Sequence, residues 1–128
     1  MNKITPQEIE SELCQFYGSE NHYQHPMSGL VYTDGVKYVA ESCEAYWLLD
    51  AIGSYQQKCQ KDEMLQDMQF WTLRRTKDSV LRTTEFVLIC ERDTNDEAFR
   101  QEISFSDFPL DEIKIWVENN TMYLPSDR

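Results

Sequence analysis

The chain has 128 residues, of which 41% are hydrophobic, 12% aromatic and 27% charged; this fits one globular domain with a single core and excludes a disordered chain. A formal net charge of −11 repels nucleic-acid phosphates, so direct DNA or RNA binding is disfavoured. No apolar run approaches the roughly 20 residues of a membrane span, and the opening MNKITPQEIE lacks the apolar stretch of a signal peptide, so a cytoplasmic protein that does not enter membranes is expected.

The first predicted element is a helix in ITPQEIESELCQFYG. Thr5 and Glu8 have the spacing of a capping box, and Pro6 falls at the first helical position, where its missing N–H is not needed. Ile4 and Ile9 have the spacing of a hydrophobic staple, Ile9, Leu13 and Phe16 share one face, and Gly18 ends the helix. Residues 19 to 29 are polar and show no period. LVY, Leu30 to Tyr32, reads as a short strand. In VKYVAES, Val36, Val39 and Ala40 fit the i, i+3, i+4 spacing of a helix, with a hairpin partner to LVY as the alternative. CEAYWLLDAIGSYQQ is the central helix, with Ala45, Leu48, Leu49 and Ile52 on one face and Trp47 opposite, which reads as buried all round. Gly53 permits a neighbour to pack closely. Residues 58 to 67 read as a polar connection.

From Met68 the pattern turns to strands: MQFWTLRR, a KDS turn, VLRTTEFVLICER, a DTND turn, then EAFRQEISF, which sets Phe99, Gln101, Ile103 and Phe105 against Arg100, Glu102 and Ser104. IKIWV alternates Ile113, Ile115 and Val117 with Lys114 and Trp116, ENN turns, and TMYLP closes the sheet. The expected fold is one α+β domain over residues 1–128. N-terminal helices (about 5–60) pack on a C-terminal antiparallel meander of about 4–5 strands (about 68–125). TMYLP is expected at the sheet edge, with Pro125 blocking further pairing.

The segments FYGSENHYQHP, LVYTDGVKYVAESCEAYWLLDAI and ISFSDFPLDEIKIWVENNTMYLPS resemble a small uncharacterised bacterial, phage and plasmid family, the DUF6876-like pattern YTDGVxY[LV]AE, AYWL[LI]D and DFPLxEI. The resemblance spans most of the chain. It implies no catalytic residue and no cofactor, and it hints at an accessory role on mobile elements.

Few residues could carry chemistry. His22 and His25 are the only histidines. An H-x-x-H in a loop is a weak metal signal beside the helical H-E-x-x-H motif, so no metal is expected and hydrogen bonding to the loop backbone is the favoured role. Asp50, on a helix read as buried, must have a partner or a raised pKa; it is either a functional acid or a structural acceptor for a loop N–H or hydroxyl, the structural role being favoured. Asp34 is expected to cap the turn that follows it. Glu20, Tyr23, His25, Asp34, Tyr46 and Asp50 are the residues that could line one binding pocket, because the loop must pack near the helix it precedes. Cys14, Cys43, Cys59 and Cys90 are dispersed, without C-x-x-C, and read as buried apolar residues. There is no G-x-S-x-G and no phosphate-cradling glycine loop. The one basic cluster, Arg74 to Lys77 with Arg82 nearby, reads as a solvated strand end. Trp71, Trp116 and Tyr123 either fill the core or form a binding face.

These readings favour a non-enzymatic acidic module that binds another protein, a basic one included, with a homodimer as a further option. The alternative is a small-molecule-binding domain or enzyme built around His25, Tyr46 and Asp50.

Overall fold

Thr5 opens the first helix as its sequence requires: the Glu8 N–H donates to Thr5 Oγ1 at 3.2 Å, and Ile9 behind it is fully buried. The computed structural model of the chain describes residues 5–13, 21–76 and 84–127. Ile4, the side chain of Leu13, Cys14, Phe16, Gly18, Glu20, Lys77, the KDS turn and Arg82 lie outside the described residues.

Five α-helices are described: α1 (Pro6–Leu13), α2 (Asp34–Ser42), α3 (Tyr46–Ser54), α4 (Gln56–Cys59) and α5 (Glu63–Asp67). The strands are β1 (His22–Gln24), β2 (Val31–Thr33), β3 (Met68–Arg75), β4 (Thr84–Asp93), β5 (Asp96–Ser106), β6 (Glu112–Glu118) and β7 (Thr121–Tyr123). VKYVAES is therefore the helix that its spacing favoured. Thr33, not Asp34, is the residue that caps it, accepting the Val36 N–H at 3.4 Å. The connection after α3 is ordered into α4 and α5, and Asp62 caps α5 by accepting the N–H groups of Met64 and Leu65.

The fold is α+β, but the sheet is larger than expected and mixed. Seven strands lie in the order β1-β2-β7-β6-β3-β4-β5. Six neighbouring pairs hold it, and the β2–β7 pair is parallel. The polar stretch 19–29 hides β1, because three residues are too few to show a period. β3, β4 and β5 form the expected meander, but β6 then crosses back to pair with β3. Phe108 and Leu110 in the crossing loop are buried, and Phe108 meets Phe86 edge-on at 5.9 Å. The closing strand β7 is not an edge; it lies between β2 and β6, and the edges are β1 and β5. Asn119 and Asn120 turn β6 into β7 with φ of 52° and 62°, the left-handed geometry of a tight hairpin turn.

One core cluster receives buried side chains from all five helices and from one face of the sheet, where Trp71, Leu73, Leu88, Cys90, Ile115, Val117 and Met122 alternate inward. Successive side chains on a strand point to opposite faces, so Phe70, Thr72, Trp116 and Tyr123 stand on the other face. Among the described residues the buried apolar side chains of the five α-helices all belong to the core cluster, so this second face is helix-free in that sense, although Val87, Ile89 and Tyr123 are buried on it. The alternation of β5 holds for Phe99 and Ile103, which pack on the core, but Phe105 is 74% exposed. A register shift between Thr84 and Phe86 in the β4–β5 pairing turns it out.

Candidate functional site

The loop from His25 to Leu30 closes the β1–β2 hairpin. The His25 N–H donates to the Leu30 carbonyl at 2.6 Å, the Gly29 N–H returns to the His25 carbonyl at 3.1 Å, and Gly29 takes a φ of +76° that only glycine adopts freely. Asn120 Nδ2 holds the Gly29 carbonyl at 3.0 Å, which docks the loop on the β6–β7 turn.

His25 leaves this loop toward α3 and is only 3% exposed. Its Nε2 lies 2.8 Å from Asp50 Oδ1, and its Nδ1 lies 2.8 Å from Ser28 Oγ. The Ser28 backbone N–H also points at Nδ1, 3.2 Å away. A backbone N–H can only donate, so Nδ1 is the acceptor and Nε2–H donates to the carboxylate. His25 thus meets an acid of the central helix and also caps its own loop. Gly53 makes the approach possible: a Cβ there would fall 3.0 Å from His25 Cε1 and 3.0 Å from Ser28 Cβ. Asp50 departs from expectation, because α3 is not buried all round and the Asp50 side chain is 60% exposed. His22 stands in β1 and is exposed.

Tyr23, two residues before His25, faces the same way. Its hydroxyl donates to Asp34 Oδ1 at 2.9 Å, and Asp34 Oδ2 accepts the Asn21 N–H at 3.4 Å. The hydrogen bond to Asp34 raises the Tyr23 phenol above its ordinary pKa, because ionisation would set two negative oxygens together. Asp34 therefore ties β1 to the start of α2. Lys37 Nζ lies 4.3 Å from the Tyr23 ring centroid and 3.6 Å from Glu41 Oε1. Tyr46 donates to Glu41 Oε1 at 3.4 Å. Burial of its hydroxyl, then Tyr32 and Glu41, push the Tyr46 phenol up to about 12, although 43% of the residue is exposed.

Of the residues read together from the sequence, Glu20 lies outside the described residues and the other five make the following contacts. His25 joins Asp50, Tyr23 joins Asp34, and Tyr46 turns to Glu41 and Tyr32. Ser28, Tyr32 and Lys37 were missed; the first two carry no pattern, and Lys37 reads as an ordinary helix cation. Among the described residues no three His, Cys, Asp or Glu side chains come together as a metal site would need.

A different cleft, of about 220 Å³, opens on the helix-free face of the sheet. Its floor is a cross-strand row: Trp116 of β6 stands beside Phe70 of β3, which stands beside Glu91 of β4. The Phe70 and Trp116 rings meet edge-on at 5.3 Å, and Tyr123 continues the row at 6.3 Å from Trp116. Trp71, its indole buried and donating to Gln69 at 2.9 Å, belongs to the core. Asp93, Thr72, Thr94 and Lys114 complete the cleft.

A family model of a family of unknown function (DUF6876) matches residues 7–128. The chain belongs to that family. No curated protein and no solved structure matches this DUF6876 chain. No helix among the described residues is long and apolar enough to cross a membrane.

Proposed function

We propose that this DUF6876 protein is an acidic binding module that docks a basic protein through the helix-free face of its sheet. The observation that carries the reading is the pair Trp116–Phe70, partly exposed aromatic side chains on the face opposite the core cluster, ended by Glu91 and flanked by Asp93, with Tyr123 buried behind them as their support. Large aromatics supply most of the energy at protein interfaces, and a rim with an excess of carboxylates steers a basic partner. The net charge of −11 extends that steering beyond the contact. A cytoplasmic location and an accessory role on a mobile element fit the same reading. Self-association would have to use a surface other than β7, which is interior. Capture from host lysate tests the proposal. Wild type should retain a basic partner at low salt and release it at high salt, and Trp116→Ala should lose it. A bound set unchanged by both salt and substitution overturns it.

A second reading rests on the Ser28–His25–Asp50 relay, whose connectivity is that of a nucleophile, a base and an orienting acid. Against it, the imidazole is 3% exposed and Ser28 Oγ already accepts the Leu30 N–H at 3.1 Å. The same contacts serve as a staple between loop and helix. Labelling of Ser28 by a fluorophosphonate probe, lost in His25→Ala, would favour the enzyme.

A further inference from the structure

The geometry points to the cleft over Phe70 and Trp116 as a binding site for a guanidinium, the head of an arginine side chain presented by the partner. The inference rests on the proposed use of this face and names what enters it. Two places in the same chain show the chemistry. Lys37 sits 4.3 Å from the Tyr23 ring centroid with Glu41 3.6 Å away. Arg75 sits 4.9 Å from the Phe86 ring centroid with Asp111 at 3.0 Å. In each, a cation rests on the negative face of a ring and pairs with a carboxylate.

The cleft repeats the rings and the carboxylates without such a cation. Glu91 uses one oxygen to accept the Asn95 N–H at 3.1 Å, and Asp93 uses one to accept the Thr94 N–H at 2.7 Å. Among the described residues neither carboxylate has an ion-pair partner. Arg92, between them in sequence, points to the other side of the strand and is held by Asp62 at 2.7 Å and Asp96 at 3.1 Å. Arg100 is held by Glu97 at 2.9 Å. Lys114, on the wall beside Trp116, is the cation that lines the cleft, and it forms no ion pair among the described residues. Two carboxylates against one ammonium leave the cleft negative. The row from the indole to Glu91 spans two strand spacings of about 4.8 Å each, so a planar fork lying on the rings reaches the carboxylates. Arginine suits this better than lysine: it stacks flat and offers parallel N–H donors to two acceptors.

The test is a titration of the ¹⁵N-labelled full chain with a blocked glycine–arginine repeat peptide, its lysine counterpart and its uncharged citrulline counterpart. The arginine peptide should move the Trp116 indole N–H and the amides of Phe70, Glu91 and Asp93; lysine should bind more weakly and citrulline not at all. Glu91→Gln with Asp93→Asn should weaken binding about tenfold, the loss of one to two charge-assisted hydrogen bonds. Lys114→Ala should tighten it, a gain that misfolding cannot imitate. A silent Trp116 indole, equal binding of citrulline, or weaker binding by Lys114→Ala overturns the inference. If the arginine peptide fails while Trp116→Ala still abolishes partner capture, the guanidinium site falls and the docking face stands. If the peptide binds as expected and partner capture ignores Trp116, the reverse holds.

Discussion

Gly53 is the smallest residue on α3 and the one on which the His25 contact depends. Two effects oppose each other when it becomes alanine. A helix-interior glycine replaced by alanine gains about 1 kcal/mol in propensity. The new methyl would sit 3.0 Å from an imidazole fixed at both ring nitrogens, and overpacking of that kind costs about 1–3 kcal/mol. The clash should win, so Gly53→Ala is expected to lower the urea midpoint. In His25→Ala/Gly53→Ala the penalty of the glycine change should vanish, leaving its propensity gain. A double-mutant cycle with no coupling would show that the imidazole does not set the packing at Gly53. That Gly53 admits a close neighbour was legible in the sequence, and a partner for Asp50 was read there too, though from a burial that its 60% exposed side chain does not have. That His25 answers both was not, because 25 residues separate it from Asp50 and no local period links a loop to a helix.

At the scale of elements, α4 is locked to β3 by a pair of buried glutamines. Gln56 Nε2 donates to Gln69 Oε1 at 2.9 Å, Gln69 Nε2 returns the bond at 2.9 Å, and the Trp71 indole donates to the same Gln69 oxygen. Further donations to the Ile52 and Leu65 carbonyls complete the network. The helix is four residues long and cannot persist by propensity alone, so its position depends on this link. Gln69→Leu leaves the Gln56 side-chain oxygen and the Trp71 N–H buried without partners and should cost about 1–3 kcal/mol in chemical denaturation. Adding Gln56→Leu should return part of that loss, since removing both partners spares a desolvated amide. If the double variant is less stable than the single by a further full increment, the two glutamines act independently. A signal for this network stood in MQFWTLRR, where Gln69 shares the face of Trp71 and Leu73; a polar residue on an inward face requires a partner. Which partner it finds depends on how α4 docks.

For the molecule as a whole, buried thiols tie stability to alkaline pH. Burial pushes Cys43 up to about 12 and Cys59 up to about 11 from an ordinary 9.0, and raises Cys90 as well. The folded chain thus holds protons that the unfolded chain releases. The stability so gained is fully present below about pH 9 and is lost as pH rises from 9 toward 12. Urea midpoints under reducing conditions should fall steeply above pH 9, and Cys43→Ala should flatten that fall; an equally steep fall in the variant would assign it elsewhere. The sheet also exposes β5 as an edge of 11 residues, guarded by alternating charge and by register shifts against β4. Replacing Arg100 and Glu102 with valine should raise the sedimentation coefficient with concentration. An unchanged monomer would mean that the shifts alone protect the edge.

The sequence by itself determined the class of this fold, the capped start of α1, the helix at VKYVAES and the inward set of β6, because each follows from a period or a cap within a few residues. It also determined the net charge of −11. Tertiary structure decided the rest. Trp71 and Trp116 read alike in the sequence, yet Trp71 lies opposite Ile115 in the core and Trp116 opposite Phe70 on the helix-free face. The parallel pairing of β2 with β7 joins residues some ninety positions apart, as does the Asn120 bond to Gly29. Such contacts are chosen by which surfaces fit once the chain has collapsed, and no local pattern records that choice.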